Sequence, residues 1–197
     1  MYRICSALIE IAAAAVFIVP VWCVYHKLYF HSWKRTGVYM IFACYLVAVL
    51  SLVGFPNIQS LKVDVTVNLI PFIDMVPDFG NACLNVFLFV PFGFFLPVLW
   101  EEFRKISDIV CVGLAATVFI EISQIFTCRT TDVNDILTNT VGTLLGYFIA
   151  CRVTADFTEK ILLHSKIRDF YVICMSVGCI MFFLQPFTSG LLWKMVL

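Results

Sequence analysis

Six stretches of this chain are apolar for long enough to decide its fold class. A helix crossing a hydrocarbon core of about 30 Å needs about 20 mostly apolar residues. The runs Ile4–Tyr25, Val38–Phe55, Ala82–Trp100, Ile109–Phe126, Val133–Cys151 and Phe170–Phe187 qualify. The fifth is the most polar, with Asp135 and Asn139 inside it. The first is too long for a signal-peptide core and has only Arg3 as a positive region, so it is expected to stay as a helix. Composition agrees: 62% of the 197 residues are hydrophobic and 13% are charged, against roughly 45–50% and 25% in soluble domains. So few charges cannot cover a soluble globule. The expectation is an all-α integral membrane protein, a bundle of about six transmembrane helices forming one domain over residues 1–197.

The loops orient the spans. Lys27, Lys34, Arg35, Arg104, Lys105, Arg152, Lys160, Lys166 and Arg168 lie in the first, third and fifth connections, while Arg3, Lys62, Arg129 and Lys194 lie on the other side. Basic residues favour the cytoplasmic face, so both termini are expected outside. The longer outer connections are then Pro56–Asn81 and Thr127–Asp132. Within the first, Lys62 to Asn68 alternates polar and apolar residues, which predicts a short extended segment ahead of the third span. Trp22, Trp33, Trp100 and Trp193 sit near span ends, as an aromatic belt would. No internal repeat is visible, and an inverted-repeat transporter therefore has no support in the sequence.

Polar residues inside the spans are where chemistry is to be sought. Glu121 lies within the fourth span, and a carboxylate at bilayer depth costs on the order of a few kcal/mol unless it meets protein, water, a partner or a proton. Gln124, at i+3, shares its face. Downstream, Asp132, Asp135, Asn139, Gly142 and Gly146 recur at steps of three and four, forming one stripe on the fifth helix. The acidic and amide half reads as the lining of a cavity; Gly142-x-x-x-Gly146 reads as a packing seam. The third span adds Asn81 and Asn85, then Pro91 and Gly93, which predict a kinked third helix.

Other chemistries find little support. The 13 basic and 13 acidic residues cancel and form no basic tract, which argues against a nucleic-acid partner. The nine cysteines show no C-x-x-C pair and no zinc spacing, so no metal or other cofactor is expected. Topology alone leaves a Cys83–Cys128 bridge open. His26, His31 and His164 fall in predicted cytoplasmic loops, away from the polar cluster. There is no H-E-x-x-H and no G-x-S-x-G. Glu101-Glu102-Phe103-Arg104 resembles the paired-glutamate motif of CAAX-type membrane proteases, but its spacing is wrong and it reads as a solvated helix end.

An ordered set of motifs resembles the VanZ-like family of bacterial membrane proteins. It starts at Asn68 to Phe72 (Asn-Leu-Ile-Pro-Phe) and continues through Asn85, Phe89, Pro91, Phe92, Gly93 and Phe94. Glu121 and Gln124 follow, then Arg129, Asp132, Asp135, Ile136, Asn139, Gly142 and Gly146. Each piece alone is weak; their order over residues 68–146 is specific, and the motif-bearing core is taken as 68–151. The resemblance implies a plasma-membrane protein of Gram-positive bacteria giving low-level resistance to teicoplanin, a lipid-tailed glycopeptide, without altering the D-Ala-D-Ala target. It assigns no reaction.

Three functions follow for the polar residues. In the first, which is not enzymatic, Asn68, Asn85, Glu121, Gln124, Arg129, Asp132, Asp135 and Asn139 form an outer-leaflet cleft that binds an amphiphile. That partner would be a lipoglycopeptide antibiotic or an undecaprenyl-linked wall precursor, met at the level of the membrane lipid. In the second, Glu121 and Asp135 act as an acid–base pair on a lipid-linked substrate. In the third, the same two carry a proton through a transporter or flippase. Against all three stands a buried ion-pair network that only locks helices together, with Asp132 and Arg129 as a helix cap and its counter-charge. The orientation can be tested with Cys128 as the sole cysteine: a membrane-impermeant maleimide should label it on intact cells. Labelling from the cytoplasmic side alone would invert the map.

Overall fold

Lipid offers the backbone no hydrogen-bond partner, so a spanning chain must pair its own N–H and C=O groups within helices. The computed structural model describes residues 2–63, 65–68, 70–72, 79–153 and 165–196, with backbone only for 2–7, 195 and 196. Among residues weighed above, Asp64, Leu69, Lys160 and His164 lie outside that description, as do the side chains of Arg3 and Cys5. Among the described residues, six helices are long and apolar enough to cross a membrane, as the apolar runs require. They are α1 (Tyr2–Tyr25), α2 (Trp33–Val53), α3 (Phe79–Leu99), α4 (Ile106–Gln124), α5 (Val133–Val153), and a sixth span in which α6 (Ile167–Cys179) continues through a π-helical turn (Ile180–Leu184) into α7 (Gln185–Val196).

The ends differ from the apolar runs by a few residues, for a plain reason. Hydropathy marks where the hydrocarbon ends, whereas a helix continues into the interface until its backbone is capped. Lys34 and Arg35 therefore belong to the first turn of α2, and Asp108 to that of α4. The acid at that N-terminus also suits the helix dipole. α3 continues through Pro91 and Pro97. The π turns at His26–Phe30 and Ile180–Leu184 have no signal in the pattern.

The chain forms two compact units, Met1–Leu61 with Arg168–Leu197, and Lys62–Ile167. In the first, α1 packs on α2 and α7. Polar side chains there are tied locally: Tyr25 Oη to Ser176 Oγ at 2.7 Å, and His26 Nδ1 to Thr36 Oγ1 at 2.8 Å. Trp22 is 1% exposed. Trp33 in the same unit is 77% exposed, and Trp100 in the second unit is as buried as Trp22. The belt expectation thus fails for Trp22 and Trp100: they sit at span ends, but their large rings fill protein cores rather than facing lipid.

The second unit carries every motif residue. Its centre is the contact of α3 with α5, where backbone meets backbone. The place a Cβ would take at Gly93 is filled by the carbonyl oxygen of Thr143; at Gly142 by that of Val86; at Gly146 by that of Val90, with Phe94 N 2.7 Å away. Three glycines from two helices therefore share one seam, and any side chain would wedge it open. The seam also admits weak Cα–H···O contacts between the helices. Gly113 lets α4 approach α5 less closely, through a side chain: a Cβ there would stand 3.0 Å from Thr143 Cγ2. α5 is the least apolar span, and it hides its hydroxyls in its own backbone: Thr138, Thr140 and Thr143 donate to the carbonyls of Asn134, Ile136 and Asn139.

Two short strands close the N-terminal end of α5. β1 (Val67–Asn68) pairs in parallel with β2 (Thr131–Asp132), matching Val67 to Thr131 and Asn68 to Asp132, and Lys62 bridges Thr127. Of the alternating segment, Val67–Asn68 is a strand and Lys62 makes a single bridge, while Asp64 lies outside the described residues. Cys83 and Cys128 are free thiols, so they form no bridge.

Overpacking a core typically costs about 1–3 kcal/mol. Gly146→Val, where rigid backbone is the obstacle, should reach or exceed the top of that range. Gly37 in α2 has nothing within 4 Å of a Cβ, so Gly37→Ala should be neutral or stabilising by up to about 1 kcal/mol. Thermal unfolding of the detergent-solubilised variants, compared side by side, checks both.

Candidate functional site

Thr117, Glu121 and Gln124 follow one another at i, i+4 and i+7 on α4, so they share one face. Two bonds turn that face towards α5. Asn139 Nδ2 donates to Thr117 Oγ1 at 2.9 Å, and the N–H of Asp132 donates to Glu121 Oε2 at 2.9 Å. The backbone of Glu121 is held as well, because its carbonyl accepts from Thr131 Oγ1 at 3.0 Å. The glutamate is thereby fixed by β2, the strand that immediately precedes α5.

Asp132 is the junction of this end. Oδ1 accepts the N–H of Asn134 at 2.8 Å, capping α5, and Oδ2 accepts from Asn68 Nδ2 at 3.3 Å across the strand pair. Asn134 Oδ1 accepts the N–H of Phe72 at 2.7 Å, which ties the segment after β1 to the start of α5. Phe72 has a φ of 67°, a left-handed conformation that a bulky residue keeps only when its surroundings impose it. On the other flank Asn85 of α3 donates to Asp135 Oδ1 at 2.7 Å. Amides, which can lend a donor without adding charge, thus hold both aspartates.

Burial sets the stakes. Glu121 is 2% exposed and Asn139 3%, while Asn68, Asn85, Arg129, Asp132 and Asp135 are half-buried. Glu121 Oε1, Gln124 Oε1, Asn139 Oδ1 and Asn134 Nδ2 are buried with no hydrogen-bond partner. A buried unsatisfied polar atom costs about 1–3 kcal/mol, more when charged. The charges of Asp135 and Asp132 also bear on the Glu121 carboxyl, so three acids crowd one end of two helices. Ionisable residues within membrane helices face the bundle interior or a water-filled cavity and pair with one another or with backbone groups.

Of the expected residues, hydrogen bonds join Asn68 and Glu121 to Asp132 and Asn85 to Asp135, while Gln124 shares the Glu121 face of α4 and Asn139 bonds Thr117 on that face. Arg129 lies in the connection between α4 and β2, where its N–H bonds the carbonyl of Gln124 at 3.3 Å. Asn81, one turn before Asn85, is exposed at the start of α3. Sequence reasoning missed Asn134 and Thr117. Thr117 was within reach, lying one turn before Glu121 on the same face; Asn134 lies beside the stripe, and its role depends on a residue far away in sequence. Among the described residues, no group of three His, Cys, Asp or Glu side chains is placed to hold a metal ion.

Asp132→Ala should lower stability by about 1 kcal/mol or more through the lost cap. Asp132→Asn keeps an acceptor for the Asn134 N–H and should lose less than half as much. Thermal midpoints of the purified proteins decide between these outcomes.

The VanZ/LLP1 family profile matches residues 38–154. Protein VanZ of Enterococcus faecium is 36% identical over 81 residues, covering 41% of this chain and 50% of that protein. The chain therefore spans about half the length of the curated relative it matches. No solved structure matches the chain.

Proposed function

The chain belongs to the VanZ/LLP1 family, and from that premise we propose that it is a non-enzymatic, multi-pass protein of the bacterial plasma membrane. In this reading it gives low-level resistance to teicoplanin and related lipoglycopeptides. The N-terminal end of α5 faces outward with both chain termini, and its polar cluster recognises an amphiphile at the outer leaflet. The amphiphile is a lipid-tailed antibiotic or a lipid-linked wall precursor, either of which presents its polar part at that depth.

One observation carries the reading: a glutamate 2% exposed within a membrane helix keeps one carboxylate oxygen without a partner. A network serving only to lock helices would gain by satisfying that oxygen, because breaking or omitting one side of a buried charged pair is costly. Gln124, on the Glu121 face of α4, and Asn139, which bonds Thr117 of that face from α5, each keep a buried amide oxygen unpaired. The half-buried Asn68, Asn85, Asp132 and Asp135 form the rim of this cluster, with Arg129 beside it. The family resemblance supplies the phenotype, and the cluster supplies the place where a ligand would be held.

Drug susceptibility in a glycopeptide-sensitive Gram-positive host tests this. Vector, this protein and Glu121→Ala are compared against teicoplanin and vancomycin, with membrane levels checked by blotting. Protection against teicoplanin alone, lost in the well-expressed variant, is the expected result. Equal sensitivity of vector and well-expressed protein would overturn the resistance assignment.

A further inference from the structure

The orphaned atoms of the α4–α5 cluster differ in what they can accept. When Glu121 is ionised its Oε1 is an acceptor only, as the carbonyl oxygens Gln124 Oε1 and Asn139 Oδ1 always are, and the three then seek donors. Glu121 and Gln124 share a face of α4, and Asn139 joins that face one turn away through its bond to Thr117. Two of the three oxygens thus stand on one face of α4, and the third belongs to a side chain of α5 that bonds Thr117 on that face. An amide can turn either edge to a ligand, but a carboxylate cannot, so the acids set the chemistry. Two more of them, Asp132 and Asp135, stand half-buried at the rim, each already accepting from an asparagine. The opposing features are Asn134 Nδ2, an orphaned donor whose amide is fixed on Phe72, and the half-buried Arg129.

We propose that this cluster binds a primary ammonium group, with Glu121 Oε1 as its anionic anchor and Gln124 and Asn139 as the flanking acceptors. The inference rests on the reading that the cluster holds the polar part of an amphiphile, and it names which polar part. An ammonium brings three N–H donors and no acceptor, which answers three donor-seeking oxygens and offsets the excess of negative charge. A phosphate or pyrophosphate brings acceptors alone and would meet Glu121, Asp132 and Asp135 as like charges. The half-exposed aspartates would draw the cation in, and the buried glutamate would hold it where low dielectric strengthens the pair. The amine-bearing part of an antibiotic and the amine of a lipid headgroup present the same chemistry.

The test uses the full chain in nanodiscs of uncharged-net phosphatidylcholine and three octyl glycosides matched in size and tail. One carries a free amine on the sugar, the second the same amine acetylated, the third a phosphate. A hydrogen bond to a charged group is stronger than one between neutral groups, so the amine should bind on the order of tenfold tighter than the acetylated form. Glu121→Gln, nearly identical in shape, should bring the two to parity. Saturable binding led by the phosphate would overturn the ammonium assignment and leave the amphiphile reading standing. No saturable binding of any of the three would overturn both. An amine preference that persists in Glu121→Gln would place the recognition elsewhere and overturn the role of this cluster. To separate the sources, an amine-bearing lipopeptide is competed against vesicles containing phosphatidylethanolamine. Displacement of the glycoside by the first alone assigns an antibiotic-like ligand, and by the second alone a lipid headgroup; displacement by neither contradicts the proposal.

Discussion

The backbone of α5 lies directly on the backbone of α3, and the rest of the second unit is arranged around that contact. Lipid tails are as apolar as leucine, so burial of hydrocarbon does little to bring membrane helices together. Close packing does, and it needs residues without side chains. Gly93, Gly142 and Gly146 each leave room for a carbonyl oxygen of the facing helix. With the inner turns of α5 locked in this way, its first turns are held in register beside α3 and α4. Asn85 then reaches Asp135, and Asn139 reaches Thr117. The same helix thus changes character along its length, from a glycine seam to a polar end, and the seam positions the polar end.

That polar end is arranged for tension. Glu121 is held by an N–H of the β2 strand through one oxygen, while its other oxygen is buried without a partner beside two further acids. Stability alone would favour an apolar residue here, or a complete ion pair. In the proposed reading a ligand offsets that cost, since binding sites are where proteins keep such groups at the expense of stability. The strand pair matters for the same reason. By fixing Asp132 between Asn68, Asn134 and Glu121, it prevents the carboxylates from swinging apart or collapsing into solvent.

Much of this was legible in the sequence, and the limits of legibility are physical. The six spans are visible because lipid imposes one length and one polarity on all of them. The stripe from Asp132 to Gly146 is visible because helical period places those residues on one face. The division of that stripe into seam and cluster follows from residue type alone. What could not be read depends on contacts between distant segments. The parallel pairing of Val67–Asn68 with Thr131–Asp132 joins residues 64 apart, and nothing local specifies the register. Asn134 acquires its role only when Phe72 is brought to it. Trp22 and Trp100 looked like interface anchors because their positions suited one; which way a ring faces is decided by the neighbouring helices.

The central claim is that the buried carboxylate of Glu121 serves binding rather than cohesion. It is tested most directly by measuring stability and teicoplanin protection together in Glu121→Gln, which removes the charge and keeps the shape. The account predicts that the thermal midpoint stays the same or rises while protection is lost, since the chain no longer holds an unsatisfied charge. A midpoint that falls with protection intact would contradict it, and would make the cluster a structural lock between α4 and α5.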